Sequence, residues 1–200
     1  MAKIKYTKSE LKNQRDALSR FSKFLPILEL KRQQLQIEVQ HVQALLETKK
    51  IEELACLEEV ESYIRLFADN IDLSRYIKVK AIKLKNRNIA GVAIPVLEEV
   101  IIERAAPDLF ETPTWLDEGL DITEKLIKLR AEQNILHEQE KLLREELLIT
   151  TQRVNLFEKV KIPEGMENIR VIRIFLGDQD TAGVVRAKIA KKKSALVSTL

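Results

Sequence analysis

The stretch Leu11–Leu46 reads LKNQRDALSRFSKFLPILELKRQQLQIEVQHVQALL. Positions 11, 14, 18, 21, 25, 28, 32, 35, 39, 42 and 46 alternate steps of three and four, and Leu11, Leu18, Phe21, Leu25, Leu28, Leu35, Val39, Val42 and Leu46 fill nine of these. This spacing is the heptad repeat of a coiled coil, so the stretch predicts one long helix with a single apolar seam. Beyond Leu46 the seam meets Lys50 and Glu53, and apolar residues resume at Leu57, Val60, Ile64 and Phe67, which predicts a continued helix with a shifted register. Pro26 lacks an amide donor and its ring opposes the carbonyl four residues back, which predicts a kink near Ser22 or a helix restart.

A second seam starts near Trp115. Ile122, Leu126, Leu129, Leu136, Leu143, Leu147, Val154 and Phe157 follow the same spacing, interrupted by Gln133, Glu140 and Thr150. Thr114 or Asp121, the latter with Glu124 three residues on, can accept hydrogen bonds from the free amides of the first turn. Ile162-Pro163-Glu164-Gly165 predicts a kink or break, after which Ile169, Ile172 and Leu176 resume a stripe. Gly177 and Gly183, each unfavourable in a helix by about 1 kcal/mol against Ala, leave the length of the last helix open.

Between the seams the pattern changes. Ile77, Val79 and Ala81 alternate with Lys78 and Lys80, Asn86-Arg87-Asn88 offers turn chemistry, and Ile89 to Ile94 is branched and apolar, which reads as a β-hairpin. Pro95 cannot donate to a ladder, so the returning strand is expected at an edge or bent there. Pro107 and Pro113 mark an irregular connection.

Two seams of similar length can bury each other only side by side. The expected fold is all-α dominated: a long antiparallel two-helix coiled coil with a short central β-hairpin insert. Residues 1–68 form the first long helix, 69–114 the insert, and 115–200 the second long helix with a kink near Pro163 and a basic tail. At ~1.5 Å per residue, helices of ~55 residues would make a rod roughly 80 Å long. A simple two-helix rod does not need the hairpin for its own stability, so the hairpin is expected to serve a partner or regulation.

Composition agrees with long helices: the 200 residues include five glycines, five prolines and 5% aromatics, with 45% hydrophobic and 32% charged positions. The formal charge of +3 does not call for nucleic acid, but its distribution is uneven. Lys3, Lys5, Lys8, Lys12 and Arg15 face Glu10 alone near the N-terminus, and Arg186, Lys188, Lys191, Lys192 and Lys193 follow Asp180 with no acid. An antiparallel pair would bring these basic ends to one tip. No aromatic residue follows Phe175, so the last segment lacks base-stacking platforms. The charged start, the short apolar runs and the single Cys56 suggest a cytoplasmic protein without membrane insertion or disulfides.

Chemistry is hard to find. The chain carries no glycine-rich phosphate loop, paired cysteine ligands or nucleophile elbow, and His41 and His137 sit in polar neighbourhoods on separate helices. No catalytic, cofactor-binding or metal-ligating residue is assigned. Trp115 reads either as packing where the helix meets the insert or as an anchor for a partner.

The stretch Thr151-Gln152-Arg153-Val154-Asn155-Leu156-Phe157-Glu158, followed by Ile162-Pro163, resembles the motif of the D-type subunit family of V/A-type ATPases, where an Arg-Arg-Val-Asn-Ala-Leu-Glu stretch precedes an Ile-Pro. Arg153, Val154, Asn155, Glu158, Ile162 and Pro163 match it, while Gln152, Leu156 and Phe157 depart. Asn88-Ile89-Ala90-Gly91-Val92 with Ile94-Pro95 resembles the family's central hairpin, and Thr7-Lys8, Leu11 and Leu28 to Leu35 resemble its first helix. The resemblance implies a non-enzymatic rotor shaft whose paired termini enter a ring of A- and B-type subunits. Its middle would meet the small F-type protein of the central stalk and the membrane-ring adaptor. Residues Lys3, Lys5, Lys8, Lys12, Arg186, Lys188, Lys191 and Lys192 would then be the basic tip that contacts the ring. The complex would sit at the cytoplasmic side of the membrane and couple ATP hydrolysis or synthesis to proton or sodium movement. A prefoldin-like chaperone and a generic coiled-coil tether are the alternatives.

Overall fold

The computed structural model describes residues 5–61, 73–106, 112–113 and 115–197. Expectations that rest on Lys3, Ile64, Phe67, Pro107 and Thr114 lie outside these residues. The elements in chain order are α1 (Lys8–Glu61), a 3-10 turn at Leu73–Arg75, β1 (Ile77–Ile89), β2 (Val92–Arg104), α2 (Leu116–Leu156), a π turn at Phe157–Lys161 and α3 (Ile162–Val197). By contact the chain divides into two units, residues 1–30 with 150–200, and residues 31–149.

Thr7 opens α1, its hydroxyl accepting from the Glu10 amide at 3.2 Å, so one of the orphan donors of the first turn is satisfied. The helix then runs through Pro26 to Glu61 without the restart that the proline suggested. Neighbouring turns that keep all their hydrogen bonds outweigh one missing donor, because helix propagation adds a bond for every residue fixed.

In the unit formed by the two ends of the chain, α1 runs antiparallel to the end of α2 and to α3. The Phe21 and Phe157 rings lie 5.0 Å apart, as do Tyr6 and Phe175. Val154, Ile169 and Ile172 are buried, and Thr150, which interrupts the sequence seam, is buried among the seam positions at 1% exposure. The break expected at Pro163 is a π turn instead. Ile162 donates its amide to the Phe157 oxygen five residues back, which widens the helix directly before the proline. That widening relieves the clash between a proline ring and the carbonyl four residues earlier, and α3 continues through Gly177 and Gly183 to Val197.

In the other unit α1 and α2 pair along Leu35, Val39, Val42, Leu46 and Leu143, all buried, with Leu136 and Leu147 against them. Ile94 of the hairpin, 2% exposed, belongs to this same cluster, with Ile89, Ala90 and Val92 packed around it. The hairpin is therefore folded back onto the helix pair, and its apolar tip contributes to the core that the sequence assigned to the helices alone. Whether the pair closes without the hairpin is a question of stability, which deletion of the hairpin would decide. Each such side chain contributes roughly 1.5–3 kcal/mol by burial.

The strands are longer than expected and the turn comes later. Asn86 and Asn88 are in the ladder, opposite Pro95 and Ala93, and the reversal is Ala90-Gly91 with φ of 50° and 84°. Positive φ at both central residues is the tight turn that matches strand twist, and Gly91 supplies the second without a Cβ penalty. Asn88 supports it by accepting the Gly91 amide at 2.9 Å. Register irregularities fall between Val79 and Ala81 and between Lys83 and Leu84, not at Pro95, which sits at an edge as a two-stranded sheet requires.

At the hairpin base Ile77, Leu116 and Leu120 are buried with Tyr76, Ile102, Trp115 and Ile127 around them, so Trp115 is packing where the helix meets the insert. Asp121 is not a helix cap, since α2 begins at Leu116. It pairs instead with Arg104, whose guanidinium also reaches Asp117. Together the two aspartates hold the last strand against the first two turns of α2.

Candidate interaction surfaces

Among the described residues no group of three or more His, Cys, Asp or Glu side chains is placed to hold a metal ion, and no helix is long and apolar enough to cross a membrane. His137 lies 3.9 Å from Glu140, while His41 is exposed on α1. Cys56 is buried. What the chain displays is surfaces.

The motif residues are divided by the helix periodicity. Val154 is fully buried, Asn155 half-buried and Arg153 exposed near the end of α2. Glu158 is exposed in the π turn, and Ile162-Pro163 opens α3. Gly91 is exposed at the hairpin turn, where its positive φ explains the residue type. Val154 and Gly91 thus have a local structural reason for their residue type, the one in the packed seam and the other in the turn.

The basic residues Lys5, Lys8, Lys12 and Arg15 are exposed on or before α1, and Arg186, Lys188, Lys191, Lys192 and Lys193 are exposed on α3. The two sets are staggered. Tyr6 packs on Phe175, so Arg186 lies eleven residues, roughly 16 Å, further along α3 than the start of α1. The apolar stripe of the paired region ends at that aromatic contact, and α3 extends past it as a separate basic segment. Exposed Val184, Val185 and Ile189 share that segment.

The hairpin presents a third surface. Lys78, Lys80, Lys83, Lys85 and Arg87 line β1, with Val79, Ile82 and Leu84 about half-exposed between them. Cross-strand pairs Lys80 to Glu103 at 2.8 Å and Lys83 to Glu99 at 2.7 Å raise the lysine pKa values and lower those of the glutamates, the hydrogen bond in each pair being the larger cause.

Polar pairs that sequence reasoning missed cross between α1 and α2. Glu53 accepts from Gln133 at 2.9 Å and from Arg130 at 3.0 Å, and these two donors hold its carboxyl below the usual range. Lys49 bridges Glu52 and Glu132 at 2.8 and 3.0 Å, which raises its pKa. Gln43 donates to Glu140 at 2.9 Å, and Lys31 pairs with Glu146 at 2.6 Å. The seam interruptions at Glu53, Gln133 and Glu140 were the available signal, but only the register shows that Gln133 answers Glu53 and that Gln43 answers Glu140.

A sequence model of the ATP synthase D-type subunit family matches residues 10–192. The V-type ATP synthase D-type subunit of Borreliella burgdorferi is 45% identical over 191 residues, covering 96% of this chain and 95% of the relative. The proteins of the same name from Chlamydia pneumoniae and Chlamydia trachomatis serovar L2 are 34% and 32% identical over 199 residues, covering 96% of this chain and 94% and 96% of theirs.

Proposed function

The chain belongs to the ATP synthase D-type subunit family, and from that membership we propose that it is the central-stalk shaft of a rotary V/A-type ATPase or ATP synthase. The observation that carries this reading is similarity over nearly the whole length to D-type subunits of V-type ATP synthases, on a chain whose seams pair antiparallel in each unit. That full-length similarity outweighs the alternatives, the tether resting on the coiled-coil pattern and the chaperone on that pattern with a β-hairpin between the helices.

The role is mechanical and non-catalytic. Nucleotide chemistry belongs to a ring of A- and B-type subunits around the paired termini, and the middle of the chain meets the small F-type stalk protein and the membrane-ring adaptor. The division at residues 1–68, 69–114 and 115–200 follows the same plan of two helical segments and an insert. The terminal unit has unlike faces: α1 exposes Phe24, Ile27 and Leu30, whereas α3 exposes Ile174 and the Glu167 to Arg170 pair. A shaft of this kind offers a different face to each interface of a surrounding ring and so favours a different conformation at each, a coupling by differential contact. Hydrolysis or ion flow then moves those states around the ring at the cytoplasmic side of the membrane.

The test is single-molecule rotation. With the ring subunits fixed to a surface and a bead attached through one engineered cysteine in β1, ATP should drive unidirectional turning of the bead. A ring that hydrolyses ATP while the bound chain stays still would overturn the shaft reading.

A further inference from the structure

We propose that the polar pairs crossing α1 and α2 in the unit of residues 31–149 are a register lock, holding the two helices at one axial setting against slips of a whole heptad. This goes beyond the shaft reading and does not depend on it.

Apolar packing alone does not choose the setting. On α2 Leu129, Leu136 and Leu143 recur every seven residues, and on α1 so do Leu35 and Val42, and Val39 and Leu46. A slip of seven residues therefore replaces leucine by leucine at Leu136 in either direction, and costs one core leucine, Leu143 by Thr150 or Leu147 by Glu140, at the edge of the cluster. The polar residues do not repeat in this way. In the observed register Glu53 takes hydrogen bonds from Gln133 and Arg130, Gln133 also reaches the main-chain oxygen of Lys49 at 3.1 Å, and Gln43 donates to Glu140. The Glu53 and Glu140 side chains are only 17% and 16% exposed, and Glu140 is also held by Arg144 of its own helix at 2.7 Å, so Gln43 is its partner across the pair.

Each slip has a definite consequence. If Glu140 moves into the place of Gln133, Glu53 faces a second carboxylate and Gln43 faces Leu147. In the opposite slip Leu126 replaces Gln133 and Lys125 replaces Glu132, so Glu53 meets leucine and Lys49 meets another ammonium. Both arrangements leave a half-sheltered charge without its cross-helix partner or beside a like charge, which is disfavoured, whereas leucine still meets leucine at Leu136. Fixing register is the best-attested use of a polar group placed inside a helix pair, and it is expected to lower stability relative to an apolar layer.

Disulfide trapping in the full-length chain, with Cys56→Ser as background, tests this. Leu46→Cys with Leu136→Cys reports the observed register. Leu46→Cys with Leu129→Cys, or with Leu143→Cys, reports the slipped ones, each displaced by roughly 10 Å and so beyond disulfide reach in the observed structure. With the polar residues intact only the first pair should oxidise. With Gln43→Leu, Glu53→Leu, Gln133→Leu and Glu140→Leu together, a slipped pair should also oxidise while the thermal midpoint holds or rises. The exchange Gln43→Glu with Glu140→Gln, which keeps the hydrogen bond, should retain the single register. If the fourfold variant does not fold, the same cysteine pairs are read in Glu53→Leu with Gln133→Leu, where slipped crosslinks are again expected. Crosslinking confined to the first pair in a folded leucine variant would overturn the lock and assign the register to the hairpin and its connections. Slipped crosslinks with the polar residues intact would overturn it equally.

Discussion

Gln139 of α2, 7% exposed, donates its side-chain amide to the main-chain oxygen of Pro95 at 2.5 Å. The proline has no amide for the ladder, and its carbonyl, turned away from β1 at the sheet edge, finds its partner on the helix. One residue earlier, Ile94 enters the core between α1 and α2. Polar and apolar contacts thus fasten the hairpin tip to the helix pair at one place.

Removing either contact should loosen the hairpin and weaken the unit. Ile94→Ala is expected to destabilise by about 2–5 kcal/mol through the cavity it leaves. For Gln139→Leu, which strands the Pro95 oxygen, about 1–3 kcal/mol is expected. Urea midpoints measure the first effect, and faster amide exchange at Ile89 to Ile94 measures the second. Deleting Lys80 to Val96 should lower the stability of the α1 to α2 pair as well, and an unchanged midpoint would show that the helices close without the hairpin.

Leu35 has no exposed surface and sits where α1, α2 and the hairpin meet. Leu35→Ala should destabilise by about 2–5 kcal/mol. Leu30→Ala, at an exposed position of the same helix, should change stability by less than about 0.5 kcal/mol. Equal effects at the two positions would contradict the assigned seam.

Glu53 supplies a pH dependence. Gln133 and then Arg130 stabilise its charged form, so its folded pKa lies below the unfolded value of about 4.3. The unfolded chain takes up the proton first as pH falls. The stabilisation is therefore fully present above about pH 4.3 and fades as the pH drops through the folded pKa. Glu53→Gln should lower the melting temperature at neutral pH, with the difference from the parent shrinking below about pH 4. A difference that persists undiminished into acid would mean that the carboxylate charge contributes nothing there.

The seams were legible because a repeat of three and four survives in the residue types: Leu35, Val39, Val42, Leu46, Leu143 and Val154 are all buried as the spacing required. The turn was not. Ala90 in the left-handed region leaves no trace in a sequence, whereas Asn86 to Asn88 has turn composition but sits in the ladder. Pro163 announces a disturbance without saying that a π turn absorbs it. The pairing of Glu53 with Gln133, eighty positions apart, is visible only once both helices are set side by side. For the basic residues the sequence supplied the charge, and the structure added the stagger.

That stagger shapes the last prediction. With α3 running past the Tyr6 to Phe175 contact, Arg186, Lys188, Lys191, Lys192 and Lys193 form an exposed positive segment beyond the start of α1. Like charges on one helix repel, and a facing acidic surface is their natural complement. If acidic loops of the catalytic ring supply that surface, reversing Lys188, Lys191, Lys192 and Lys193 to Glu should weaken assembly with the ring while leaving the helical circular dichroism unchanged. The defect should be largest at low salt, where screening lengths are about 30 Å at 0.01 M against about 8 Å at 0.15 M, and should shrink as salt is added. Reversing Lys5, Lys8 and Lys12 should have a separate and smaller effect, because these residues flank the paired helices and not the free segment. Measuring the affinity of each variant for the ring across a salt series decides between the readings: an α3 variant that binds like the parent at 0.01 M salt would mean that its lysines serve only to keep the end of α3 solvated.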